Sequence, residues 1–150
     1  PKPQNPKTPG AILLNLLLKE KMKIAVALLM AVVDCEVIEL TEDNLEATWS
    51  ESPPKQGWFV KFFAPWCGHC VALAPKWEEF AEGTPEVNVA EVNCVDEKEL
   101  CDQFDVSSYP TLLYFPTGED DHYKFYGPRD AEHFWDFSMG EEWRLWKNRY

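Results

Sequence analysis

Cys67 and Cys70, with only Gly68 and His69 between them, are the residues of this 150-residue chain whose types and spacing could do chemistry. On a helix, residues three apart share a face, so the two thiols can approach closely enough to exchange between dithiol and disulfide without remodelling the backbone. A helix starting at Cys67 would place that sulfur among unpaired N–H groups at the positive end of the dipole, which favours a thiolate. A protonated His69 would add positive charge between the two sulfurs. The same pair could also serve as half of a zinc site, so its surroundings have to decide between the readings.

Those surroundings read as a strand running into a helix. Trp58 to Ala64 is rich in residues that favour a strand, and Val71 to Glu82 carries Val71, Leu73, Ala74, Trp77 and Phe80 at helical spacings. Pro75 is predicted to kink that helix, because it removes one hydrogen bond and crowds the preceding turn. Upstream, Glu36 to Leu40 alternates like a half-buried strand, Thr41 to Asn44 opens a helix leading to Leu45, Ala47 and Trp49, and Ser52 to Gly57 is a loop. Downstream, the pattern predicts a strand over 87–92, a short helix over 97–104 and a strand over 111–115. His122 to Tyr126 forms its hairpin partner across Thr117-Gly118, and a last helix begins near Asp130 and breaks or bends at Gly140.

Ala64-Pro65-Trp66-Cys67-Gly68-His69-Cys70 resembles the active-site motif of the protein disulfide isomerases, a branch of the thioredoxin-like oxidoreductases. Seven consecutive residues with aromatics upstream are far more specific than a bare pair of cysteines two residues apart. The resemblance implies an α/β chain over 36–146 with a thioredoxin-like fold, a central mixed β-sheet flanked by helices, and the element order β-α-β-α-β-α-β-β-α fits it. It implies a thiol-disulfide oxidoreductase or isomerase whose cysteines are the redox group, with no cofactor and no metal. Thiolate Cys67 would attack a client disulfide and Cys70 would resolve the mixed species, or the oxidised pair would accept electrons from a client dithiol. Gly68-His69 between the cysteines resembles the isomerase poise near about −180 mV rather than the thioredoxin value near about −270 mV.

Other site residues follow from the same resemblance. Tyr109-Pro110-Thr111 is similar to the family's cis-proline loop, which faces the dithiol and presents backbone to a bound peptide; read alone, Pro110 is an ordinary strand-entry proline. Trp66 and Tyr109 would form an apolar rim for unfolded chains. Arg129 falls where the family has an arginine that approaches the second cysteine, although by composition it is a solvated loop residue. Lys61 departs from the commonest pattern, since most relatives carry Glu or Asp six residues before the first cysteine. Its ammonium could remain charged and favour the thiolates, become neutral and accept the Cys70 proton, or reach water along its aliphatic stem. Cys94 and Cys101 have the spacing of a structural disulfide in several relatives, and reduced buried thiols are the competing reading. A zinc site from all four of these cysteines needs a second gap of six residues, outside the usual two to four. His122 and His133 stand isolated and receive no chemical role.

The rest of the chain bounds the setting. The net charge is −12, but residues 1–35 hold five lysines and two acids, so the remaining 115 residues carry −15 and offer no basic face for nucleic acid. Residues 1–35 read as a proline-rich tail followed by a secretory signal over 22–35, with a possible cut after Cys35. An amphipathic helix over 11–33 is the alternative. Neither apolar run, Ala11 to Leu18 or Ile24 to Val33, reaches the roughly 18–20 residues of a membrane span. A signal places the protein in the endoplasmic reticulum lumen or secretory pathway, with disulfide-bearing or unfolded client proteins, and glutathione or an oxidase, as redox partners. Residues 147–150 read as a short tail without a Lys-Asp-Glu-Leu-type retention signal, leaving open a first domain of a longer protein, a secreted form or retention by a partner. A redox-modulated chaperone or binding module with little turnover is the second functional reading.

Overall fold

A computed structural model describes residues 36–51, 57–140 and 143–146. The tail, signal, Cys35 and C-terminal tail expected from the sequence, and most of the 52–57 loop, fall outside these residues. Five strands form one sheet in the order β1-β3-β2-β4-β5: β1 Ile38–Glu39, β2 Gly57–Phe63, β3 Asn88–Asn93, β4 Thr111–Pro116 and β5 Tyr123–Lys124. β1 and β2 run parallel to β3, while β4 runs antiparallel to β2 and to β5, so the sheet is mixed. The helices are α1 Leu45–Glu51, α2 Gly68–Gly83, α3 Lys98–Gln103, α4 Ala131–Met139 and α5 Trp143–Trp146. The element order over 36–139 is the expected one, in a thioredoxin-like fold.

β2 is the central strand, and its alternation supplies both cores. Trp58, Val60 and Phe62 join Leu40, Ala90, Val92, Leu100 and Leu113 on one face, whereas Phe59 joins Leu73, Trp77, Phe80, Phe134 and Phe137 on the other. Phe59 is fully buried, with the rings of Trp77, Phe80, Tyr114, Phe125, Phe134 and Phe137 at centroid distances of 5.1–5.9 Å. Truncating such a ring to alanine typically costs about 3–5 kcal/mol. Lys61 is two residues beyond Phe59 and therefore faces α2.

The differences from the sequence reading are local. Gly57 belongs to β2 rather than to the preceding loop, and a Cβ there would lie 2.3 Å from the Phe115 carbonyl oxygen, so close pairing with β4 requires glycine. α2 begins at Gly68, directly after its N-cap Cys67, and continues as one helix through Pro75 rather than breaking there. The carbonyl that Pro75 leaves without an N–H partner belongs to Val71, which is exposed and can be hydrated. β5 is two residues long instead of five, although Phe125 N–H still donates to the Leu112 carbonyl at 2.9 Å. α4 ends at Gly140, and the short helix α5 follows.

Candidate active site

The buried strand β2 delivers the chain to the N-terminus of α2 through the turn Ala64-Pro65-Trp66. Cys67 N–H donates to the Ala64 carbonyl at 3.0 Å, which closes the turn. Cys67 is the N-cap, with extended backbone angles, and its carbonyl accepts from Cys70 N–H at 3.0 Å and Val71 N–H at 3.1 Å. Its thiol makes no side-chain capping bond to the helix, and the first turn contains no acidic residue to compete for the positive end of the dipole. Both thiols are free, with Cys67 8% and Cys70 3% exposed.

Their acidities are driven apart. The hydrogen bond with the Cys70 thiol, helped by the N–H groups of Cys70 and His69 and by the charge of Arg129, holds Cys67 below the ordinary thiol value against the opposing effect of burial. Cys70 is pushed up to about 11, first by burial and then by its bond to Cys67; the Ala64 backbone and the Lys61 charge oppose this rise. His69 acts on the sulfur through its backbone N–H, while its side chain stands exposed.

The Tyr109–Pro110 peptide is cis, and the loop carrying it lies against the dithiol. The Cys67 thiol donates to the Tyr109 carbonyl at 3.6 Å, the Tyr109 side chain packs on Ala64, Cys67 and Cys70, and Thr111 Oγ1 donates to the Ser108 carbonyl at 2.8 Å to brace the loop. The Trp66 ring meets Tyr109 edge-on at 6.0 Å and is 74% exposed. Trp66 and Tyr109, more than 40 residues apart in the chain, thus meet beside Cys67, and cis-Pro110 is the next residue of the loop.

Lys61 is buried, and its Nζ lies 2.5 Å from Glu91 Oε2 and 5.0 Å from the Phe63 ring centroid. Glu91 escaped the sequence reading. The available signal was a lone acid within the apolar run Val87–Val92, but no local pattern shows that β2 and β3 pair residue 61 with residue 91. The Lys61 side chain is thus met inside by a carboxylate whose side chain retains 29% exposure.

The other expected residues are more peripheral. Arg129 is exposed on the loop before α4, where its charge helps to hold the Cys67 pKa down. Among the described residues no bond joins its guanidinium to either sulfur. Cys94 and Cys101 form a disulfide with a Cα–Cα distance of 5.7 Å, so they are unavailable as thiolate zinc ligands alongside Cys67 and Cys70. Cys94 N–H donates to the Phe63 carbonyl at 2.9 Å, which ties this bridge to the strand end below the dithiol. The two histidines are not isolated: His133 pairs with Asp130, and His122 packs against Phe104 and Phe115.

Residues 36–138 match the family model for thioredoxin. The chain is 35% identical over 131 residues to protein disulfide isomerase-like 5-1 of Oryza sativa subsp. japonica, covering 82% of this chain and 87% of that protein. It is 41% identical over 105 residues to a probable protein disulfide-isomerase A6 of Medicago sativa, where the match covers 68% of this chain and 28% of the relative. Several other curated relatives are also much longer, and the chain spans only 20–28% of their length. Among solved structures, the J-Trx1 fragment of ERdj5 aligns with a TM-score of 0.62 at 36% identity, over 74% of this chain and 53% of that one.

Proposed function

The chain belongs to the thioredoxin family, among the protein disulfide isomerases, and from that premise we propose that it forms and rearranges disulfides in client proteins through Cys67 and Cys70. One observation carries this reading: Cys67 caps α2 with its sulfur at the Tyr109 carbonyl, and Cys70 follows one turn behind it. A client cystine docked along the 109–110 backbone would meet Cys67 first.

In the reductase direction, the Cys67 thiolate attacks one client sulfur, the client disulfide breaks, and a client thiolate leaves as the mixed disulfide forms; Cys70 then loses its proton and attacks Cys67, releasing the second client thiolate and forming the Cys67–Cys70 disulfide. In isomerisation another thiolate of the same client attacks the client sulfur of the mixed disulfide instead, which forms a new client disulfide and releases the Cys67 thiolate. The oxidase direction reverses the reductase steps, with glutathione disulfide or an oxidase restoring the disulfide. Gly68 leaves the first turn open, the His69 N–H supports the Cys67 thiolate, and Lys61 and Arg129 bias the two sulfurs electrostatically. Trp66, Tyr109 and Pro110 receive the client, while the Cys94–Cys101 bridge is structural. The relatives' protein disulfide isomerase names, and the disulfide itself, support an endoplasmic reticulum or secretory setting.

The test is turnover of scrambled ribonuclease and reduction of insulin by wild type, Cys67→Ala and Cys70→Ala. Cys67→Ala should abolish both activities, and Cys70→Ala should accumulate a mixed disulfide. Equal activity of Cys67→Ala and wild type would leave client binding without thiol chemistry.

A further inference from the structure

A cavity of about 700 Å³ lies at the opposite end of β2 from the dithiol, bounded by α1, the start of β2, the end of β4 and the turn that follows. Four of its lining residues, Trp49, Trp58, Phe104 and Phe115, are aromatic, and His122 joins them. The rings stand as walls. Trp49 stacks on Trp58 at 4.9 Å, but Phe115 meets Trp49 at 89° and Phe104 at 77°, and His122 meets Phe104 at 90°. The rings are therefore not coplanar around the cavity, although His122 lies at only 34° to Phe115.

Among the described residues, the formally charged side chains of the lining have one sign: Glu46, Glu119 and Asp120 contribute carboxylates, all three residues are exposed, and no described lysine or arginine lines the cavity. Glu119 also accepts from the Tyr123 hydroxyl at 2.8 Å, which leaves Glu46 and Asp120 as the main charges of the rim. Aromatic walls with a carboxylate rim complement an organic cation that has an apolar stem, because the ring quadrupole and the acids both attract it. A guanidinium suits the recess better than an ammonium, being planar, weakly hydrated and able to stack on a ring.

From this geometry we infer a second client site: the cavity holds an arginine side chain, with its flanking residues, from the polypeptide whose cysteine is at the dithiol. This inference rests on the reading of polypeptide clients above. The seven residues of β2 alone span about 20 Å, so the client segment that links the two sites is at least about six extended residues long. Two weak attachments on one chain raise the local concentration of client at Cys67 without a strong contact at either end.

The first experiment uses the Cys67→Ser/Cys70→Ser protein, so that binding is read without thiol chemistry. It is titrated with N-acetyl-Ala-Arg-Ala-amide and with the citrulline counterpart, which keeps the shape and removes the charge. The Trp49 and Trp58 indole N–H signals should shift saturably with the arginine peptide, with a Kd of about 1 mM, and the citrulline peptide should bind about tenfold more weakly. Glu46→Gln/Asp120→Asn, which changes only exposed side chains, should weaken the arginine peptide several-fold. Equal binding of the two peptides, no saturable shift, or a response confined to Trp66 would overturn the inference.

The second experiment reads turnover with the cysteines intact. For disulfide peptides carrying arginine about six or more residues from the cysteine, Glu46→Gln/Asp120→Asn should raise KM and leave kcat unchanged. Turnover of glutathione disulfide should be the same as in wild type. An unchanged KM would also overturn the inference. Inactivity of wild type on glutathione disulfide would count against the dithiol chemistry, while the peptide titration would still decide the cavity.

Discussion

Lys61 on β2 and Glu91 on β3 are register partners, and their side chains meet at 2.5 Å on the sheet face that α2 covers, where the Lys61 charge opposes the rise in the Cys70 pKa. An ion pair that is buried at one end and part-exposed at the other is costly to break from either side, because the remaining charge stays poorly solvated. Glu91→Gln should destabilise the fold by about 1–3 kcal/mol, less than the full cost of a wholly buried pair. Lys61→Met/Glu91→Leu should recover most of that loss. Urea denaturation midpoints check both, and a double variant no better than Glu91→Gln would show that the pair is not the source of the cost.

Lys61 should act mainly on the rate at which Cys70 resolves a mixed disulfide. With Cys70 near 11, this thiol is protonated at neutral pH and must ionise before it attacks. Each further pKa unit lowers its thiolate fraction tenfold but raises its nucleophilicity, so the net effect is about threefold in rate. Lys61→Met should therefore slow resolution by about threefold per unit of added shift, while lowering the reduction potential only slightly, in the direction of a less oxidising couple. Stopped-flow resolution and a glutathione titration measure the two effects. A faster resolution rate in Lys61→Met would contradict the electrostatic assignment.

Selective alkylation should display the split between the thiols. Cys67 should react with iodoacetamide along a curve whose midpoint lies below the free value of about 8.5, and Cys70 should remain unmodified until well above pH 9. Mass mapping after graded exposure assigns the sites. Parallel modification of both cysteines at neutral pH would remove the basis for calling Cys67 the nucleophile.

The Cys94–Cys101 bridge closes a short loop between the end of β3 and α3. The Cys94→Ala/Cys101→Ala variant should lose about 2–3 kcal/mol, the chain-entropy value for so few residues. The alkylation midpoint of Cys67 should not move, since its acidity is set by Cys70, backbone N–H groups and Arg129. A large shift in that midpoint would mean that the bridge also shapes the site.

Asp130 caps α4, accepting from His133 N–H at 3.0 Å with Nδ1 of the same histidine 2.6 Å away. The hydrogen bond between the two side chains lowers Asp130 and raises His133. A raised histidine contributes stability that is complete below about 6.5 and lost as pH rises through its folded value. A lowered aspartate contributes stability that is present above about 3.9 and lost as pH falls through its folded value. The thermal midpoint should therefore include a contribution that peaks between these limits. Asp130→Asn keeps a capping acceptor but should flatten the profile between about pH 5 and 8, whereas an unchanged profile would assign the effect elsewhere.

Much of this protein is legible locally. Apolar alternation marks β2, the 3.6-residue period marks α2, and their junction places a cysteine pair at a helix N-terminus, because both periodicities are carried by neighbouring residues. Cys67 and Cys70 therefore follow from the sequence, and the motif around them resembles a family in which the Tyr109-Pro110 loop and the Cys94–Cys101 spacing acquire meaning. What the tertiary structure alone decided are relationships between segments far apart in the chain. Glu91 becomes the partner of Lys61 only because β2 and β3 pair in parallel at one register, and a shift of one residue would turn that acid to the other face. Likewise, the Tyr109 carbonyl reaches Cys67, and five aromatic side chains from separate segments wall one cavity, only after strands and helices distant in the chain have packed together. Residue type and period encode which face a side chain takes, but the packing of the whole core sets which distant side chain it meets.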